Sequence, residues 1–219
     1  MSISATEITV AEKPKLRGVL HQYGFFVSLL LGIWVVFSAQ KVNQVIPGII
    51  YALSLSALLG TSALYHRVNW SERKRQWMRS IDRAMILVLI VGTYTPFGMC
   101  VFSGPTNDYV FVFLWISVAV GFVLNVLWSG APKWLRAGLY VVVSWVGILM
   151  LPQLFDRAGA ACAWLVLGGG VVYTVGAVFY ALKKPNLIPG VFGYHELFHG
   201  FVLIGALLHY LAIAFYVFV

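Results

Sequence analysis

Two histidines four residues apart stand near the end of the chain, in the segment 193–200. On a helix this spacing places both imidazoles on one face, about one turn apart. His195, Glu196 and His199 also spell H-E-x-x-H, the helix of zinc proteases. The third ligand of such proteases is missing at the required spacing, because the next histidine, His209, is ten residues further on and no acidic residue follows. A protease is therefore the least favoured interpretation, and the partner of the two histidines is expected elsewhere in the chain.

The composition is that of a membrane protein with several spans. The 219 residues are 61% hydrophobic and 10% charged, and their mean hydropathy of +0.88 is too high for an ordinary soluble domain. Apolar stretches long enough to cross about 30 Å of hydrocarbon as helices recur along the chain. The predicted spans are 18–39, 45–65, 84–104, 109–128, 135–155, 160–182 and 200–219. We predict an all-α integral membrane protein, a seven-transmembrane-helix bundle, with an amino-terminal segment at 1–17 and one membrane domain at 18–219.

The formal net charge of +8 raises the possibility of a nucleic-acid partner, but the basic residues follow the predicted membrane segments. Of the 15 Lys and Arg residues, only Lys41 and Arg157 fall on one predicted side, and all the others fall on the opposite side. The positive-inside rule then places the amino terminus in the cytoplasm and the carboxyl terminus outside. We expect no nucleic-acid partner.

This topology brings five chemically active side chains to one level of the membrane. Ser62 and His66 end the second predicted helix, Asp82 opens the third, and His195 and His199 precede the seventh, all on the cytoplasmic side. Three neutral imidazoles suit Zn²⁺ and leave the fourth tetrahedral position for water. We predict zinc ligands at His66, His195 and His199, with Asp82 as the base that holds the water. Ser62 is expected to bond the same water or a substrate oxygen. In the alternative, the histidines cap helices and line a polar seam.

Three other features have structural interpretations. Residues 69–83 interleave tryptophans with arginines, which indicates a short helix in the headgroup layer or a solvated charged loop. Glycines at 168–170 and 176 are typical of closely packed membrane helices. His21, near the start of the first span, is expected to be an ordinary hydrogen-bonded or snorkelling side chain.

A family resemblance rests on a set of motifs. They are S-x₃-H at 62–66, an aspartate at 82, G-T-Y-T-P-F at 92–97, G-G-x-x-Y-T-x-G at 169–176 and H-x₃-H at 195–199. Together they resemble the hemolysin III family of bacterial membrane proteins, within the progestin and adipoQ receptor (PAQR) superfamily. The resemblance implies a seven-helix bundle with a cytoplasmic amino terminus. It also implies that His66, His195 and His199 hold zinc, with Asp82 and Ser62 beside it.

The resemblance also has limits. Lys13, Pro14 and Arg17 stand where bacterial members often have an acidic residue and an asparagine, so no role in the site is implied for this segment. The family pattern requires no glutamate after the first histidine of H-x₃-H, and Glu196 is therefore interpreted as incidental.

The preferred function is a zinc-dependent hydrolase that acts on an amide or ester of a membrane lipid, in the bacterial cytoplasmic membrane. Because the superfamily is related to alkaline ceramidases, the resemblance implies a ceramide-like substrate. One alternative is a sensor of membrane state with a structural zinc that Asp82 would also bind. Another is a cytolytic, pore-forming protein, which only the family name implies.

Overall fold

The computed structural model describes residues 14–128 and 130–218, apart from the side chains of Lys133 and Ala137. Helices make up nearly all of this part of the chain. They are α1 Val19–Phe37, α2 Val42–Arg67, α3 Glu72–Cys100, α4 Pro105–Phe122, α5 Lys133–Trp145, α6 Leu151–Arg157, α7 Gly159–Leu182 and α8 Tyr194–Tyr216. A π-helical turn at Val123–Leu127 extends α4, and a 3₁₀ segment at Val146–Met150 joins α5 to α6.

Seven segments of the described chain are long and apolar enough to cross a membrane. Six of them are single helices, the fourth with its π-helical turn, and the remaining one, Trp134–Arg157, consists of α5, the 3₁₀ segment and α6. The chain is therefore an all-helical, multi-pass membrane protein, and the predicted number of spans is confirmed.

The start of the third helix was predicted wrongly. A separate helix or loop at 69–83 does not form, because α3 begins at Glu72 and residues 72–83 are its first three turns or so. Ser71 holds the extended N-cap conformation, and Glu72 lies at the positive end of the helix dipole. No glycine or proline interrupts the helix between there and the apolar run. Asp82 consequently lies inside α3 and does not open it.

The seventh span also begins earlier than predicted. α8 starts at Tyr194, so His195 and His199 lie in its first two turns and do not precede it. Gly193 takes the N-cap position in an extended conformation, and its N–H donates a 2.8 Å hydrogen bond to Oε2 of Glu196. This contact is half of a capping box, which satisfies one of the unpaired donors at the helix start.

Small residues let α7 and α8 approach closely. A Cβ added to Gly176 would lie 2.6 Å from Cβ of Phe201, and one added to Gly169 would overlap the ring of His209. Gly170 has no neighbouring heavy atom within 4 Å of such a position. The predicted packing role is confirmed for Gly169 and Gly176 but not for Gly170. This contact fixes α8, the helix with two of the three candidate ligands, within the bundle.

Candidate metal centre

Three histidines from two helices converge at one end of the bundle. His66 lies in the last turns of α2, and His195 and His199 lie at the start of α8. The Nε2 atoms of His66 and His195 are 3.1 Å apart. One ring nitrogen from each of the three histidines lies within 4.8 Å of the other two. His66 and His199 are buried and His195 is half-buried. The three imidazoles could therefore hold a metal ion.

The spacing of His66 and His195 and the chemistry of all three donors fit a tetrahedral metal ion. Zinc binds histidine nitrogens at about 2.0–2.1 Å, which separates two tetrahedral ligand nitrogens by about 3.3 Å. The 3.1 Å between His66 and His195 is close to that value. Nδ1 of His199 is buried without a hydrogen-bond partner among the described residues. An unpaired polar atom is destabilising in an apolar interior. A cation bound among the histidines would add a polar partner to this part of the bundle.

Ser62 and Asp82 lie together beside this cluster. Ser62 is buried one turn before His66 on α2, and Asp82 is half-buried on α3. The Ser62 side chain is a neighbour of the Asp82 carboxyl group. Among the described residues, the group whose ligand atoms lie within 4.8 Å contains the three histidines and no carboxylate. The structure thus brings the serine and the aspartate that the sequence singled out close to each other.

The sequence analysis assigned His21 only an ordinary structural role, but the structure places it against the candidate site. It is hydrogen-bonded, as expected, but only 3% of it is exposed, so it does not snorkel to the interface. Its Nδ1 lies 2.8 Å from Oγ of Ser62. Its ring stacks on that of His199, with centroids 3.8 Å apart and planes 12° from parallel. The sequence could have indicated this placement, because the start of α1 and the end of α2 must lie at the same end of the bundle.

Glu196 was interpreted as incidental, and the structure corrects that interpretation. The residue is 1% exposed, and its carboxylate forms an ion pair with the guanidinium of Arg17, just before α1. The preceding backbone continues this contact, since the N–H groups of Lys15 and Leu16 donate to the carbonyls of Gly190 and Val191, at 3.1 and 3.3 Å. The amino-terminal segment, for which no role was expected, is therefore attached to the loop and helix that carry His195.

Gly18 allows this segment to pass over the site. It has a φ of +80°, and a Cβ built on it would lie 2.5 Å from Cβ of His66. A glycine meets both requirements, because it adopts positive φ without strain and leaves room for the neighbouring backbone. No sequence motif marked this position.

The comparisons with known proteins agree with this architecture. The model of the Haemolysin-III related family matches residues 9–210. "Hemolysin-3 homolog" of Bacillus subtilis (strain 168) is 27% identical over 203 residues, which cover 91% of this chain and 92% of that protein. "Hemolysin-3" of Bacillus cereus is 26% identical over 223 residues, which cover 99% and 98%. The human "Monocyte to macrophage differentiation factor" is 28% identical over 174 residues, which cover 75% of this chain and 67% of that protein.

The family match extends over nearly all the described spans, and its range contains the positions of Ser62, Asp82 and the three histidines. With a family model that covers residues 9–210 of 219, the chain belongs to the Haemolysin-III related family.

Proposed function

We propose that this protein is a zinc-dependent hydrolase of an amide or ester bond in a membrane lipid, with its site near the cytoplasmic leaflet. The observation that carries the proposal is the meeting of the His66, His195 and His199 imidazoles beside the Ser62 and Asp82 pair. Ionisable groups gathered inside membrane spans are costly and are usually functional. Here they combine a cation site with a neighbouring carboxylate base.

The charges around the site support its place in the cytoplasmic leaflet. Five exposed basic residues lie at the end of α2 and in the first turns of α3. They are Arg67, Arg73, Lys74, Arg75 and Arg79. Basic residues at membrane ends favour the cytoplasm and the anionic lipids of the inner leaflet. On this orientation the protein spans the bacterial cytoplasmic membrane, with its carboxyl terminus outside.

The residues of the site have separate tasks in the proposed reaction. The three histidines would hold the zinc ion, which would supply Lewis acidity to acidify a water molecule and polarise the substrate carbonyl group. Asp82 accepts a proton from the attacking water and passes it to the leaving amine or alcohol. Ser62 orients that water or donates to the developing oxyanion. The near absence of solvent around the buried His66 and His199 strengthens each of these interactions.

A groove between α1 and α2 supports a lipid as the substrate. Its volume is about 480 Å³. Phe25 and Phe26 of α1 and Leu64 of α2 line it, with Arg67 also in its wall. Ser62 and His66 lie in the same turns of α2 but are not among the residues that line the groove. An acyl chain in the groove would bury its apolar surface, and Arg67 would attract a polar or anionic headgroup.

Metal content tests the proposal first. We expect about one zinc per chain in detergent-solubilised protein measured by mass spectrometry, with loss in His66→Ala and His195→Ala and retention in Asp82→Ala. His209→Ala is the matched control and should keep the metal. Loss of zinc from Asp82→Ala would instead indicate a closed site and favour the sensor. A wild-type protein that binds no metal, even after resupply of zinc without chelators, would refute the proposal.

Hydrolysis of lipid amides and esters by the wild-type protein, and its loss in Asp82→Ala, is the second measurement. The relative in Bacillus cereus is named Hemolysin-3, so cytolysis is the second candidate function. Dye release from lipid vesicles by the purified protein, unchanged in His66→Ala, would favour that candidate.

A further inference from the structure

His21 contacts two members of the site without belonging to the three-histidine group. It lies in the first turn of α1, a helix with few buried residues, and it is 3% exposed. A buried imidazole is destabilising unless its polar atoms are used. Nδ1 bonds Ser62 and one face of the ring covers His199, whereas Nε2 is buried without a hydrogen-bond partner among the described residues. Its burial therefore depends on the same residues that form the site.

We propose that His21 is a positioning residue, which fixes the Ser62 hydroxyl through Nδ1 and the His199 ring through stacking. The inference rests on the proposed function, because it assigns a task within that site. A metal ligand must present its nitrogen in one direction, and neighbours that set the orientation of a histidine ring affect metal affinity strongly. With centroids 3.8 Å apart and planes 12° from parallel, the His21 ring opposes tilting of His199.

The contact between His21 and Ser62 constrains the position of the Ser62 oxygen. Nδ1 of His21 lies 2.8 Å from Oγ of Ser62, and both side chains are buried. A hydroxyl group can both donate and accept a hydrogen bond, so this contact forms with either tautomer of the imidazole. His21 therefore holds the Ser62 oxygen in place, one helical turn before His66.

Two substitutions separate the two contacts. His21→Phe keeps a ring against His199 but has no nitrogen for Ser62. His21→Asn keeps a short polar group for Ser62 but has no ring for His199. His209→Asn is the matched control, because this half-buried histidine of α8 bonds the carbonyl of Val166 at 3.0 Å, outside the three-histidine group.

Cobalt binding is the test, with wild type and the three variants titrated in detergent with Co²⁺ alone. We expect His21→Asn to lose about tenfold or more in affinity, as is typical when a neighbour of a ligand is removed, with altered cobalt absorption bands. His21→Phe should keep affinity and bands close to wild type, and His209→Asn should match wild type. If His21 only stabilised the fold, its substitution would lower the melting temperature but leave the shape of the cobalt absorption bands unchanged.

The hydroxyl contact has its own measurement. The melting temperature is measured for His21→Phe, for Ser62→Ala and for the double variant. The loss in the double variant should be markedly smaller than the sum of the losses in the two single variants. Wild-type cobalt affinity and bands in His21→Asn, or additive losses in the double variant, would overturn the assignment. A wild-type protein that binds cobalt but hydrolyses no lipid would refute the proposed reaction and leave these comparisons valid.

Discussion

Removal of the Arg17 guanidinium should destabilise the protein strongly, because it leaves the buried Glu196 carboxylate without its ion-pair partner. Arg17→Met keeps the apolar stem but leaves Glu196, whose side chain is 0% exposed, with only the hydrogen bond from Gly193 N–H. Loss of one partner from a buried ion pair costs about 3–5 kcal/mol. Since the Arg17 side chain is 20% exposed and the capping bond remains, we expect the lower end, about 3 kcal/mol.

For a chain of this size 1 kcal/mol corresponds to about 2–4 °C, so the melting temperature should fall by about 6–12 °C. The assay is thermal unfolding in detergent, followed by tryptophan fluorescence. The double variant Arg17→Met with Glu196→Gln should recover part of the loss, because neither charge is then left unpaired.

A surface arginine provides the control for this prediction. Arg157 is exposed and donates to the Val101 carbonyl and to the Ser103 hydroxyl, so Arg157→Met should cost less than about 1 kcal/mol. Equal shifts for the two arginine variants would refute the reasoning. So would a double variant less stable than Arg17→Met, since the penalty would then not come from an unpaired carboxylate.

Two pairs of glycine substitutions test the packing of the segments and helices that carry the site. Gly18→Ala should lower metal affinity, because its Cβ meets His66, whereas Gly104→Ala also faces a positive φ, of +86°, but has no neighbour within 4 Å and should leave affinity unchanged. Equal metal affinities in the two variants would contradict this. Gly169→Leu should unfold at a lower temperature than Gly170→Leu, because only Gly169 faces the His209 ring. Equal melting temperatures would show that α7 and α8 do not depend on that contact.

Much of the candidate site could be predicted because consecutive spans run in opposite directions. That alternation places the end of α2 and the starts of α3 and α8 at one level, and spacings of four residues put His66 with Ser62 and His195 with His199 on single faces. Helix boundaries were harder. Hydropathy identifies the residues that lie favourably in hydrocarbon, but a helix extends into polar sequence where no residue breaks it. α3 shows this, because it includes the polar stretch from Glu72 to Asp82.

The sequence alone was sufficient to predict the family, the number of spans and the meeting of the three histidines. It could not determine which helices are neighbours in the membrane plane, because apolar faces look alike whether they meet lipid or another helix. Contacts across that plane, such as Arg17 with Glu196, 179 residues apart, and the stack of His21 on His199, depend on the packing of α1 against α2 and α8. Only the tertiary structure decided them, and they are what orients the side chains that the sequence singled out.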